Sequence, residues 1–157
     1  MTSAVATRPN LRGRVSSAEH DYLSADEMRE VIGRALETVD RNARAGNMLR
    51  AAGLNILIEI PNLKSVISVR ASNEPGHYIR WRFDRRGKPK PNFVLTMSSD
   101  VANAWLQGRE SIAMAIVRRR MKCSGSARDA LRYVPVLKVI SQRYRKLVRS
   151  DYPHLAI

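Results

Sequence analysis

The segment 93–125 reads FVLTMSSDVANAWLQGRESIAMAIVRRRMKCSG, and its apolar spacing switches between that of a strand and that of a helix. Residues 92–97 predict a strand, and the serine pair that follows is a good N-cap for a helix ending near Gly108. Residues 110–117 have apolar side chains at helical spacing, and residues 121–124 are short enough for a strand. The segment therefore predicts a strand, two helices and a further strand.

Upstream of this segment the sequence predicts one long helix and three more strands. Ser24 and Glu27 match a capping box, in which two side chains satisfy free backbone donors at the start of a helix. An apolar stripe follows at three- and four-residue steps, and Gly46 is a candidate for the end of the helix. Alternating or β-branched residues then predict strands at 55–60, 65–71 and 77–83, followed by a basic loop at 84–91.

Downstream of Gly125 the sequence predicts a terminal helical region. Ser126 opens it and Pro135 is expected to kink or split it. The order of elements predicts an α+β domain with a largely antiparallel sheet covered on one face. We expect the domain to span residues 24–150, preceded by a flexible extension at 1–23 and followed by a tail at 151–157.

The charge of the chain is strongly positive and unevenly distributed. Lys and Arg number 28 against 14 Asp and Glu, which gives a net charge of +14. Between Arg118 and Arg149 eleven residues are basic, and Asp129 alone is acidic. Such a segment predicts an anionic partner: a phospholipid surface, an acidic protein surface or a nucleic acid. The candidate contacts are Arg118, Arg119, Arg120, Lys138, Arg143, Arg145, Lys146 and Arg149.

Signatures of catalysis are missing from the sequence. The three histidines are far apart and have no metal-ligand neighbours at the usual spacing, so no metal, no cofactor and no enzymatic activity are expected. Cys123 is the single cysteine, which excludes an intrachain disulfide and is compatible with a cytoplasmic protein. No apolar run approaches the ~20 residues of a membrane helix, so any membrane contact is expected to be peripheral.

Several of these patterns resemble the sterol carrier protein type 2 family over residues 25–148. The run Val94-Leu95-Thr96-Met97-Ser98, followed by Asp100, resembles the strand that leads into the family's Ser/Asp-capped helix. Trp105-Leu106-Gln107-Gly108 resembles the end of that helix, and residues 115–125 resemble its next helix and strand. Two positions depart from the family's pattern: Arg119 stands where a glycine is usual, and Ile116 stands where an aromatic residue is usual.

The resemblance implies a five-stranded sheet with helices on one side and, between them, an apolar tunnel for sterols, acyl chains or other lipids. On this basis we expect a non-catalytic lipid carrier whose basic face docks on an anionic membrane or partner. Plain core packing is the alternative for each side chain expected to line the tunnel. Those side chains are Trp105, Leu106, Ile112, Ile116, Met121, Val134, Leu137 and Ile140.

Two other functions are compatible with the same residues. One is a nucleic-acid-binding or assembly module that keeps the fold but fills the tunnel. The other is an accessory subunit that presents an apolar substrate to a biosynthetic enzyme. The sequence does not decide between them, nor does it give the oligomeric state.

Overall fold

The computed structural model describes residues 20–84 and 90–157. These residues form six helices and five strands, in the order two helices, four strands, two helices, one strand and two helices, with short 3-10 turns at Pro61–Leu63 and Pro153–Leu155. The helices are α1 Ala25–Asp40, α2 Ala43–Ala52, α3 Ser99–Leu106, α4 Ile112–Val117, α5 Ala127–Arg132 and α6 Val134–Asp151. The strands are β1 Asn55–Ile60, β2 Ser65–Ala71, β3 Ile79–Arg82, β4 Phe93–Met97 and β5 Met121–Gly125.

The five strands form one mixed sheet in the order β3-β2-β1-β4-β5. Neighbouring strands are antiparallel except for β1 and β4, which run parallel because the chain crosses from one half of the sheet to the other. The predicted α+β class and mostly antiparallel sheet are therefore confirmed, with each predicted strand within two residues of its place.

One face of the sheet is buried and carries the core. Strand residues alternate between faces, so Ile56, Ile58 and Ile60 point to the same side, and all three are buried. The alternate residues of β1 are only half-buried. The buried face packs with the apolar stripes of the helices into one cluster, to which Met28 and Val31 of α1 contribute.

The first helix ends earlier than the sequence predicts. Its start is as expected, since Ser24 accepts a hydrogen bond from the Glu27 N–H, but the Glu27 carboxylate accepts from Leu23 rather than from Ser24. Helix α1 stops at Asp40, and Gly46 lies inside α2. The glycine is needed there because a Cβ at Gly46 would lie 2.1 Å from the ring of Tyr78.

The terminal helical region is split, as the sequence predicts. Helices α5 and α6 meet at Tyr133, and Pro135 sits in the first turn of α6, where its missing N–H costs no hydrogen bond. Tyr133 fixes this junction, since its hydroxyl donates to the carbonyl oxygens of Ala52 and Gly53, both at 3.3 Å.

Residues just outside both predicted boundaries, 24 and 150, pack against the domain. Tyr22 is buried, and the carbonyl of His20 accepts a hydrogen bond of 2.6 Å from the amide of Asn103. The same amide donates to the carbonyl of Leu155, whose side chain is fully buried. Residues 1–19 of the expected extension and 85–89 of the expected loop lie outside the described residues.

Candidate ligand-binding site

A small apolar cavity lies inside the core, between the buried face of the sheet and the helices. Its volume is about 50 Å³. The walls come from β1, β2 and from α1, α2, α3 and α6, and they are apolar, with the ring of Tyr133 among them. The lining includes Leu36, Ile58, Trp105, Leu106, Leu137 and Ile140.

A larger space opens to solvent beside this cavity, between the loop after α3, the start of α4 and the first half of α6. We call it the cleft, and its volume is about 410 Å³. Its floor is apolar, formed by Trp105, Ile112, Val134 and Leu137. Its rim is polar and carries charges of both signs, from Glu110, Ser111, Lys138, Ser141, Gln142 and Arg145.

Trp105 and Leu137 line both the cavity and the cleft. These two side chains therefore form a shared wall between the two spaces. An apolar cavity and an open cleft therefore lie on the two sides of this wall.

The cavity and the cleft account for six of the eight side chains that the sequence selects as ligand contacts. Trp105 and Leu137 line both spaces, Ile112 and Val134 line the cleft, and Leu106 and Ile140 line the cavity. The other two, Ile116 and Met121, line neither. Met121 begins β5 on its buried face and is 2% exposed, while Ile116 packs against the same core from α4, so both are packing residues.

Glu110 belongs to the cleft and was not among the residues selected from the sequence. Its side chain is 7% exposed, and Oε2 forms a salt bridge of 3.1 Å with Nη1 of Arg120. The other oxygen, Oε1, is buried without a hydrogen-bond partner in the described part of the chain. A sequence signal exists, since Glu110 is the only acidic residue between Asp100 and Asp129.

The predicted cationic residues fall on more than one surface. Lys138 and Arg145 line the cleft, and Arg145, Lys146 and Arg149 surround a shallow depression farther along α6. Arg143 is separated from these residues, because it faces a groove between α1 and α6 that also contains Arg34 and Glu37. The three arginines of the turn between α4 and β5 are exposed, and Arg120 is tied to the cleft by its salt bridge.

Four exposed apolar side chains lie on α4, on α5 and at the start of α6, the helix that borders the cleft. Met114 and Val117 on α4 are 46% and 74% exposed, and Leu131 on the contacting helix α5 is 47% exposed. Val134, at the start of α6, is 38% exposed and lines the cleft itself. We call these four residues the apolar lip. The basic turn at Arg118 to Arg120 follows α4 directly, so apolar and cationic side chains stand together on this surface.

The turn at Arg119 keeps the geometry of a glycine turn although the residue is arginine. Arg119 has φ of 59°, in the left-handed region. Its N–H donates to the carbonyl of Ile116, and the next N–H donates to that of Ala115, which is the Schellman pattern at a helix end. The arginine therefore adds a cation and backbone strain to a turn that glycine would adopt without strain.

The remaining candidates for reactive or metal-binding groups are Cys123 and the His, Asp and Glu side chains. Burial raises the pKa of the Cys123 thiol, which keeps it protonated and less nucleophilic. Within residues 20–84 and 90–157, no cluster of three or more His, Cys, Asp or Glu side chains could hold a metal ion. None of the helices described is both long and apolar enough to cross a membrane.

Comparison with known proteins identifies the fold. No family model matches the sequence, and no curated protein matches it. Among solved structures, the chain is similar to UbiJ-SCP2, a ubiquinone synthesis protein, with a TM-score of 0.56 and 12% identity over 75% of this chain and 94% of that one. It is also similar to sterol carrier protein 2 from Yarrowia lipolytica, with a TM-score of 0.52 and 14% identity over 73% and 90% of the two chains.

A partial match is to a much larger protein, the sec-alkylsulfatase Pisa1 from Pseudomonas sp. Its TM-score is 0.47 at 14% identity, and the match covers 55% of this chain and 13% of the sulfatase. The chain therefore spans about an eighth of that enzyme. The two matches with TM-scores of 0.56 and 0.52 extend over most of both chains, and they show that the protein has the sterol carrier protein 2 type of fold.

Proposed function

We propose that the protein binds one apolar or amphipathic molecule without catalysing a reaction, in a site made of the cleft and the cavity behind it. The observation that carries this proposal is the shared wall of Trp105 and Leu137 between the two spaces. The names of the similar structures, sterol carrier protein 2 and a ubiquinone synthesis protein, support the same class of ligand.

The two volumes indicate how a ligand is held. The cavity of about 50 Å³ has room for one or two waters at about 30 Å³ each. The cleft of about 410 Å³ falls within the range of ligand pockets. A lipid chain therefore lies first on the floor of the cleft, and its end enters the cavity when the side chains of Trp105 and Leu137 move apart. Each CH₂ buried in this way contributes about 0.8 kcal/mol.

A test of the binding proposal is uptake of a fluorescent dodecanoic acid by delipidated protein. Saturable binding at one molecule per chain is expected, together with competition by unlabelled sterol, acyl or polyprenyl compounds. The variant L137W fills the shared wall and should weaken the uptake. A failure of all three classes of compound to bind would overturn the proposal.

We further propose that the apolar lip and the basic residues around it dock on an anionic phospholipid membrane at the mouth of the cleft. Exposed apolar side chains flanked by Arg and Lys are typical of peripheral membrane contacts, in which each cation contributes about 1 kcal/mol near the surface. Docking there would let a lipid pass between the bilayer and the cleft. A nucleic acid would contact the cations but not the apolar lip. A salt-sensitive gel shift at low ionic strength would therefore favour a nucleic acid, in place of a membrane, as the partner.

Delivery of the ligand to an enzyme is a second candidate function. It is supported by the likeness to a ubiquinone synthesis protein, at a TM-score of 0.56. The same site would then hold the substrate of a biosynthetic enzyme. In that case we expect the protein to copurify stably with the enzymes encoded beside it, and bound lipid should strengthen this association. A carrier that transports lipid without an enzyme partner should not copurify with them.

A further inference from the structure

Glu110 contains a buried oxygen that the fold itself does not explain. Its side chain is 7% exposed, and Oε2 is engaged by Arg120 at 3.1 Å. Oε1 has no hydrogen-bond partner among residues 20–84 and 90–157. Buried polar atoms without a partner are rare in folded proteins, and each one calls for a physical reason.

The position of Glu110 suggests that reason. The residue lies in the link between α3 and α4 and forms part of the wall of the cleft. Across the same space lie the apolar side chains of Trp105 and Leu137. Glu110 lines the cleft, and the last torsion of a glutamate is broad, so its carboxylate can adjust to meet a polar group of a molecule bound there.

The chemistry of the carboxylate selects the ligand group. An ionised carboxylate accepts hydrogen bonds and donates none, so its partner must supply an O–H or N–H. An apolar chain on Trp105 and Leu137 with a hydroxyl at its polar end meets both needs. We propose that Glu110 is the polar anchor of the cleft and accepts a hydrogen bond from the hydroxyl of a bound long-chain amphiphile, an inference that rests on the proposed function.

Two isomeric probes test the anchor. 1-Undecanol and 1-methoxydecane have the same atoms, but the ether has no hydrogen to donate. Their dissociation constants are measured with wild-type protein by displacement of the fluorescent dodecanoic acid. The alcohol is expected to bind at least tenfold more tightly, because the ether leaves Oε1 buried and unpaired.

The variant E110Q replaces one acceptor oxygen by an NH₂ group that donates hydrogen bonds, with little change in the shape of the side chain. The amide oxygen of the glutamine can accept a hydrogen bond from Arg120 while its N–H donates one to the ether oxygen. The preference for the alcohol should therefore fall below twofold. E30Q, an exposed change on α1, is the matched control and should keep the wild-type preference. E110A is the second variant should E110Q not fold, and it too should lose the preference.

Each outcome has a distinct meaning. Equal binding of the two isomers to wild type, or a preference that survives E110Q and E110A, overturns the anchor and leaves the binding proposal standing. Failure of both isomers to displace the probe from wild type overturns the anchor as well. Failure of the fluorescent acid itself to bind removes the proposed function, and the anchor with it.

Discussion

The hydroxyl groups of Tyr22 and Tyr144 form a hydrogen bond in the core between residues 122 positions apart in sequence. The hydroxyl of Tyr144 donates its hydrogen to Oδ1 of Asn103 at 2.8 Å, so Tyr22 is the donor in the bond between the two tyrosines. Burial raises the pKa of both phenols, which therefore stay protonated and able to donate at neutral pH. This contact makes Tyr22, three residues before α1, part of the core.

Removing the Tyr22 side chain should destabilise the protein more than removing its hydroxyl. Y22A deletes a ring that is 6% exposed, and loss of a buried aromatic ring costs about 3–5 kcal/mol. Y22F keeps the ring and should cost about 1 kcal/mol for the lost hydrogen bond. Urea unfolding of the two variants gives both values. Equal stability of Y22A and wild type would mean that residues 20–23 are not packed on the domain in solution.

Local sequence patterns predicted the sheet but not the ends of the domain. The strands were found because residues such as Ile56 and Ile58 alternate across one buried face. Tyr22 stands alone in a segment without periodicity, so only its distant partner Tyr144 makes it a core residue. The sequence favours Gly46 as a helix end because glycine is frequent there, whereas the structure requires a glycine because the ring of Tyr78, from a distant loop, packs against it.

The candidate site was predicted in its apolar half only. Helical spacing selected Trp105, Leu137 and their neighbours because a stripe facing the sheet is visible in the sequence. Glu110 could not be selected in this way, because its burial depends on Arg120, which approaches it only in the folded chain. The division of the interior into cavity and cleft depends on side-chain packing, which periodicity does not specify.

Asp40 should make stability depend on pH in the acidic range. Burial by itself would raise the pKa of this carboxyl, but hydrogen bonds from the N–H groups of Ile79 and Tyr78 and from His77 outweigh it and hold the pKa below its usual value. A lowered pKa in the folded state stabilises the protein above the unfolded value of about 3.9, and this contribution disappears as the pH falls through the folded value.

The variant D40N isolates this contribution. The unfolding free energy of wild type should exceed that of D40N above pH 5, by about 1–3 kcal/mol, and the difference should shrink below pH 4. Urea titrations from pH 7 to pH 2.5 measure it. D26N, which changes an aspartate whose side chain is 91% exposed, is the control and should follow wild type closely. A difference that stays constant over this range would contradict the assigned role of Asp40.

Replacing Arg119 by glycine should stabilise the fold. A residue other than glycine in the left-handed region costs about 1–2 kcal/mol, and Arg119 has φ of 59°. Glycine costs more conformational entropy on folding, and subtracting that cost leaves a gain in unfolding free energy of about 1 kcal/mol. This gain corresponds to a rise in Tm of about 2–4 °C for a domain of this size. R118G is the neighbouring control, since φ is −82° there and glycine should destabilise. A lower Tm for R119G would contradict the strained geometry.

Polar substitution in the apolar lip should weaken membrane binding. Val117 is 74% exposed on α4, and partial insertion of its side chain contributes about 1 kcal/mol. V117S should therefore reduce binding to vesicles with 30% phosphatidylserine about fivefold, as measured by cosedimentation. L23S is a matched control, because Leu23 is 78% exposed but lies before α1, away from the cleft. Equal losses for both variants would show that the lip is not the docking surface.

Shortening Leu137 should open the wall between cavity and cleft. L137A removes a half-buried side chain that faces both spaces, at a cost of about 2 kcal/mol of stability. A wider passage should speed the uptake of the fluorescent dodecanoic acid in stopped-flow measurements, even though the protein is less stable. L147A removes the same atoms from the same helix, but Leu147 lines the groove between α1 and α6. It should lower stability without changing the rate of uptake, and if L147A accelerates uptake as much as L137A, the passage is not at the shared wall.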